Sequence, residues 1–435
     1  MAKRISKLVS IFISVMLIFT LISGCSKPQT EPSAQKQGEK VTITIWHYLN
    51  DRDKLMKEFA QEYEKKTGVH VDFQLYSGDQ MGSKIQAAAQ AKTLPDAWTG
   101  VGLKPALSKL IEGGYVAKVN DLIPNFGNWR NKFPQNVLDQ ISFTQGDGFN
   151  VPPGTYGIPL DVNNMQFLYN KELFKKAGLD PDNPPKTWNE FLEYGKKLKE
   201  AGITPFATGI GTWVGFSLLE PYEWAYLGPD KLKEARAGQI TFKEAGFEKV
   251  LNLLVEMRDA KMFAEGVATM DLPTAEQMFV NGQIAMIFDG SWAIGVFNSM
   301  NPNFKDYGVF FPPKDDRASY PALIPGGIGA YFVVNKDSKH LKETVDFLVW
   351  LTEKDQQIKY ANESFNLPAN KDAIDPNKLL PQTAAFAKEM DKVNPGMPPI
   401  KNPRAEEVLG KGIQMIVMGQ KTPPEVVKEM DEANK

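Results

Sequence analysis

From Val41 to Ile111 the hydrophobic pattern switches repeatedly between strand and helix periods, and this alternation restricts the fold more than any other feature of the chain. Val41, Ile43 and Ile45 alternate with Thr42 and Thr44, which predicts a strand. Leu55, Met56, Phe59 and Tyr63 then share one face of a helix that Gly68 ends. Val69, Val71, Phe73 and Leu75 alternate with His70, Asp72 and Gln74, a second strand. An alanine-rich helix around Ile85 to Ala91, a short strand over 97–100 and a helix through Leu107, Leu110 and Ile111 follow. Such a succession builds an α/β unit on a largely parallel sheet. Ligands of such sheets bind beyond the carboxyl ends of the strands. The loops at 46–51, 76–81 and 98–102 are therefore candidate contact segments, and they carry Trp46, His47, Asn50, Asp51, Gln80 and Trp98.

A chain of 435 residues exceeds what one compact core serves, so two domain-sized units are expected. A second α/β region starts near Gln166. Thr187 and Glu190 form a capping box that opens a helix through Phe191 and Leu198. Another helix ends at Gly282 and leads into a buried strand over 284–288, followed by Asp289-Gly290-Ser291-Trp292. The C-terminal part reads as helical, with a capping box at Thr422 and Glu425 and proline at the first helical position.

The single cysteine is the most informative residue. Cys25 follows Leu21-Ile22-Ser23-Gly24 at the end of an apolar run over 8–22, itself preceded by Lys3, Arg4 and Lys7. A basic start, an apolar stretch and small residues before a cut define a secretory signal peptide, here 1–24. The run is short for a membrane span, which needs about 20 apolar residues. The pattern resembles the bacterial lipobox, in which the thiol is acylated, palmitate being the expected modification, and the cysteine becomes the mature N-terminus. Residues 26–40 contain one alanine and otherwise polar residues, proline and glycine, a composition that makes a flexible tether of 25–40. Loss of the leader takes the formal charge from −2 to −5, because it carries three cations and no acid. A mildly acidic chain without a basic block argues against a nucleic-acid partner. Three histidines and one cysteine leave little for a transition-metal site, and neither a metal nor a cofactor is expected.

No Gly-x-Ser-x-Gly elbow, Walker loop or His-Glu-x-x-His motif is present. A glycosidase needs only a pair of carboxylates, and the 52 acids keep a secreted lipoprotein enzyme acting on polysaccharide as the alternative. The clearer signal is aromatic. Of eight tryptophans, Trp46, Trp98, Trp213, Trp224 and Trp292 fall in predicted loops at strand ends. The flat C–H faces of pyranoses pack on such rings, and their hydroxyls pair with carboxylates and amides. Trp188 and Trp350, at helical positions, are assigned to core packing. Trp46 suits either role, and Trp292, after Gly-Ser at a strand end, is read as a ligand residue.

Gly157-Ile158-Pro159-Leu160-Asp161, continuing to Phe167-Leu168-Tyr169-Asn170-Lys171-Glu172-Leu173-Phe174, resembles a signature of family-1 extracellular solute-binding proteins, the receptors of carbohydrate ABC importers. Leu94-Pro95-Asp96, Glu220-Pro221-Tyr222, Asn281-Gly282 through Trp292, and Pro325-Gly326-Gly327 agree in order. The resemblance implies an α/β, two-lobed, type II periplasmic-binding-protein-like fold with a ligand cleft between lobes. Lobe 1 would comprise 41–159 and 313–351, and lobe 2 would comprise 160–312 and 352–435, with chain crossings near 157–161 and 307–312. It implies ligand contacts from Asn50, Asp51 and Trp98 in the first lobe, Asp161 and Asn163 at the crossing, and Glu220, Tyr222 and Trp292 in the second. Trp46, His47, Gln80, Trp224 and Gly327 complete the expected set. One stretch departs from the family's maltose-binding pattern: Pro403-Arg404-Ala405-Glu406-Glu407 stands where a stacking tryptophan is usual. The implied protein is a monomer that is not an enzyme. It would lie outside the cytoplasm, held by lipid to the outer face of the cell membrane, and deliver a mono- or oligosaccharide to the membrane-embedded permease subunits of an ABC importer.

Overall fold

The computed structural model describes residues 41–435, apart from positions 103, 376 and 395 and the side chain of residue 79. The expected signal peptide, Cys25 and the expected tether lie outside the described residues. Among those described, no helix is long and apolar enough to cross a membrane.

Two sheets organise the chain. In the first, the strands run in the order His70–Leu75, Thr42–His47, Ala97–Thr99, Tyr331–Val334, Ile158–Pro159. The first three are mutually parallel, as the strand–helix alternation predicts; Tyr331–Val334 runs against them, and Ile158–Pro159 pairs antiparallel with Tyr331–Val334. Alternation along the strands turns Ile43, Ile45, Val71 and Phe73 to one buried face. The helices Asp53–Thr67 and Leu341–Leu351 cover that face, with Tyr63 and Phe73 at 5.0 and 5.8 Å from Phe347, ring to ring. Gly68 ends the first of these helices at φ +80°, where a side chain would be strained.

The second sheet runs Tyr307–Phe310, Asp161–Asn170, Ile284–Gly290, Thr204–Ala207. It is mixed rather than largely parallel. The ten-residue Asp161–Asn170 strand enters it directly from the first sheet, without a crossover helix, and so runs against both neighbours. Phe167 is its hub, with ring centroids at 5.1 Å from Phe288 and 5.2 Å from both Phe191 and Phe310. The capping boxes at Thr187 and Thr422 form as read from the sequence.

Three chain segments pass between the sheets and hydrogen-bond to one another. Leu160 N–H donates to Ala330 C=O at 2.8 Å, and Gly329 N–H donates to Asp161 C=O at 2.9 Å. The short strands Gly326–Ile328 and Leu367–Pro368 both pair antiparallel with the start of the Asp161–Asn170 strand. Tyr307–Phe310 is an edge strand of the second sheet and not a passage between sheets. Residues 314–324 lie against second-sheet elements, with Tyr320 N–H on Ala225 C=O and Ile324 N–H on Lys392 C=O, both at 3.0 Å. The Lys354–Ser364 helix instead packs on the Asp53–Thr67 helix of the first sheet.

Candidate functional site

The turn after the first strand, Asn50–Arg52, stands at the carboxyl end of the first sheet. Asn50 is exposed and Asp51 half-buried, while Arg52 turns inward. Arg52 Nε donates to Asp51 Oδ1 at 3.0 Å, and Nη1 donates to Asp161 and meets the Tyr360 hydroxyl. Asp161 also accepts from Tyr360 and, at 2.6 Å, from Ala330 N–H. Burial pushes the Asp161 carboxyl up, against the pull of Arg52 and Tyr360, and Arg52 is held well above its ordinary value. Three donors converging on one carboxylate match an ionised group. Asp161 therefore ties the first passage between sheets to Arg52, and its oxygens are occupied within the protein. Asn163, two residues on, is half-buried and pairs in register with Gly327. Gly327 has φ +115°, and a Cβ there would meet the Gln140 amide at 2.1 Å, so only glycine fits.

On the second sheet, Ile284–Gly290 ends beneath Trp292. The indole lies over Gly290, where a Cβ would come within 2.0 Å of the ring. Trp213 packs on it at 6.0 Å between ring centroids and is 54% exposed, so the two indoles present an open aromatic platform. Trp213 is the first residue of the Trp213–Arg236 helix, after the Thr212 cap, and not a loop residue. Glu220 follows two helical turns later on the same face. Its carboxyl accepts from Asn394 Nδ2 at 3.1 Å and from Ser217 Oγ at 3.5 Å. Burial, then the neighbouring Glu223, pushes it up to about 7. The helix Ala293–Met300 begins at Trp292 and packs against the Asn50–Arg52 turn. A Cβ on Gly295 would stand 3.3 Å from Asp51 Oδ2, which also lies 3.3 Å from Asn366 Nδ2. The structure thus brings Asn50, Asp51, Asp161 and Trp292 into one region, with Asn163 and Gly327 along the neighbouring passage.

Other expected residues are placed elsewhere. His47 points with Ile43 and Ile45 into the helix-covered face and is fully buried, its Nε2 3.2 Å from Asp53 Oδ1. Burial lowers its pKa to about 4, so the imidazole is neutral at physiological pH. Trp46, on the opposite face, donates to Gln74 Oε1 at 3.1 Å and packs edge-on to Tyr76. Lys84 Nζ sits 4.2 Å from the Trp46 ring and covers a face that a sugar would need. Trp98 is fully buried in the first core. Tyr222 and Trp224 are interior residues of the Trp213–Arg236 helix, 2% and 5% exposed, and not loop residues. Tyr222 lies against a separate groove of about 650 Å³ walled by Pro184, Phe311, Pro312, Tyr320 and Lys392. Gln80 is exposed on the Gly78–Ala91 helix.

Sequence reasoning left Arg52, Tyr360, Asn394, Glu276 and Asp289 unassigned and kept Trp213 out of the expected set. Trp213 had a usable signal, an aromatic residue directly after a threonine cap. Arg52, Tyr360 and Asn394 meet Asp161 or Glu220 across separations of 109, 199 and 174 residues, which no local pattern records. Among the described residues no group of three or more His, Cys, Asp or Glu side chains could hold a metal ion.

The family of bacterial extracellular solute-binding proteins matches residues 58–388. A sn-glycerol-3-phosphate-binding periplasmic protein of Brucella melitensis is 22% identical over 410 residues, covering 87% of this chain and 88% of that one. A multiple sugar-binding protein of Streptococcus mutans is 23% identical over 367 residues, covering 80% and 78%. Among solved structures, a chitin oligosaccharide binding protein superposes with a TM-score of 0.74 at 21% identity, over 91% of this chain and all of that one. The two-sheet arrangement is the two-lobed fold of such binding proteins.

Proposed function

The chain belongs to the bacterial extracellular solute-binding protein family, and from that premise we propose that it is a carbohydrate receptor of an ABC importer, not an enzyme. The observation that carries this reading is the Trp213–Trp292 platform, which stands at a strand end, opens the helix whose Gly295 lies against Asp51, and shares a helix face with Glu220. An open aromatic face ringed by carboxyl and amide acceptors suits a neutral polyhydroxylated ring. The lobes divide at 158–161, 328–331 and 365–369, so that 314–324 joins the second lobe and the helix Lys354–Ser364 the first. Sugar would sit between the 50–52 turn and the platform, and draw the lobes together through its greater affinity for the closed state.

A relative that binds sn-glycerol 3-phosphate favours a second reading, a phosphate ester. Phosphate recognition calls for unengaged Arg or Lys. The guanidinium of the 50–52 turn, Arg52, is buried and bonded to two carboxylates, and Glu220, Glu276 and Asp289 add further acids. Titration calorimetry on the soluble chain from Ser26, with a panel of neutral sugars and with sn-glycerol 3-phosphate, separates the readings. Heat is expected from a neutral sugar and none from the phosphate ester, with no turnover of labelled glycan. Binding of the phosphate ester alone would reverse the assignment.

The lipobox at Cys25 supports release from the signal peptide before Cys25 and lipid attachment to the outer face of the membrane. Two acyl chains give stable attachment where one is marginal. Cys25→Ser should move the protein from the membrane fraction to the soluble fraction with sugar affinity unchanged. A variant that stayed membrane-bound would remove the anchor from the proposal.

A further inference from the structure

The two oxygens of Glu220, half-buried on the helix that Trp213 opens, are unequally served. Oε2 accepts from Asn394 Nδ2 at 3.1 Å. Oε1 meets the Ser217 hydroxyl at 3.5 Å, longer than such bonds usually run. An ionised carboxylate has about four acceptor positions, so Oε1 keeps room for a hydroxyl from outside the protein.

Asn394 comes to this helix from 174 positions away and is 2% exposed. Its backbone N–H donates to Ile324 C=O at 2.9 Å, and Ile324 N–H donates to Lys392 C=O at 3.0 Å, so 392–394 is fixed beside Ile324. Two residues beyond Ile324 begins Gly326–Ile328, which pairs with the Asp161–Asn170 strand. The Asn394 Oδ1 accepts from Gly396 N–H at 2.9 Å. With its oxygen so engaged, the amide can turn only its NH2 to Glu220, and the oxygen it meets must accept. Such a contact favours the charged carboxylate.

Other charges near Glu220 are committed elsewhere or work against its ionisation. Glu223, a turn further along the helix, opposes it, and Arg236 pairs with Glu223 at 2.8 Å. Lys392 is paired with Glu389 and lies 4.7 Å from the Phe311 ring. The Pro403–Val417 helix meets this one where Gly410 faces Phe216, and its Arg404, Glu406, Glu407 and Lys411 are exposed. Burial and Glu223 push Glu220 up to about 7, and the Asn394 bond pulls the other way. We propose that Asn394 is a positioning residue of the sugar site, holding Glu220 charged with Oε1 open to a sugar hydroxyl. The inference rests on the reading of the platform and Glu220 as one wall of a sugar site.

The test separates that role from a structural one. Asn394→Ser keeps a side-chain acceptor for Gly396 N–H, as serine does in turns of this kind, but is too short to reach Glu220. Asn394→Thr serves if thermal melts show the serine variant unfolded. Infrared titration of the full chain between about pH 5 and about pH 9, taken as the difference from Glu220→Gln, isolates the Glu220 carboxyl without any ligand. Its midpoint should move up in Asn394→Ser, because the charged form loses its donor. Calorimetry with glucose, maltose, cellobiose, xylobiose and chitobiose supplies the second arm. For a sugar that the parent binds, Asn394→Ser should weaken affinity about tenfold, and should cost nothing further in a Glu220→Gln background. An unmoved midpoint, or an affinity loss that persists in the Glu220→Gln background, would overturn the proposal. A parent that binds none of the sugars would remove the sugar reading itself, and the infrared midpoint would still decide whether Asn394 holds Glu220 charged.

Discussion

Trp292→Ala is expected to weaken sugar binding by about tenfold to a hundredfold while leaving the fold near its parental stability. Ring-face packing on an indole contributes about 1–3 kcal/mol, and each 1.4 kcal/mol is a factor of about ten in affinity. Trp292 is half-buried, with one side on the backbone of Gly290 and its ring tilted 49° against Trp213, so its removal opens a surface notch more than an internal cavity. A fully enclosed tryptophan behaves otherwise, costing about 3–5 kcal/mol of stability on truncation. Trp98, at 0% exposure, is that contrasting case. Calorimetry and denaturant melts on the two alanine variants should therefore diverge. Intact affinity with lost stability in Trp292→Ala would return that residue to the core.

Arg52→Met should be the most destabilising single change at the hinge, at about 3–5 kcal/mol, because it leaves a buried carboxylate without its cation. Arg52 is 8% exposed and Asp161 3% exposed, and together with Tyr360 they fasten the 50–52 turn to the first passage between sheets. The double variant Arg52→Met with Asp161→Asn removes both charges and should recover much of the loss, since the penalty lies in the unpaired ion. Urea melts of the parent and the three variants give the coupling directly. A loss below about 1 kcal/mol in Arg52→Met would mean that the network does not hold the hinge, and would leave Asp161 available to ligand.

The α/β class, most elements and the aromatic character of the site were legible in the amino-acid sequence, because they depend on local periodicity and short motifs. The strand at 42–47, the helix that Gly68 ends and the capping boxes at Thr187 and Thr422 are settled within a few residues of themselves. Trp292 could be placed because a strand end and a small-residue turn are adjacent in sequence. Which tryptophans face solvent was decided by tertiary packing alone. Trp46 and Trp98 pair in register on neighbouring strands, yet Lys84 covers the first and the core encloses the second. Asp161 reads as a ligand residue by motif, whereas its acid is engaged by Arg52, 109 positions earlier, and Tyr360, 199 positions later. The direction of the 161–170 strand was equally out of reach of pattern, because it follows from where the chain enters the second sheet. Periodicity records which face of an element is apolar; it holds no record of which distant side chain arrives to pair with a charge or to cover a ring, and those meetings determine the site.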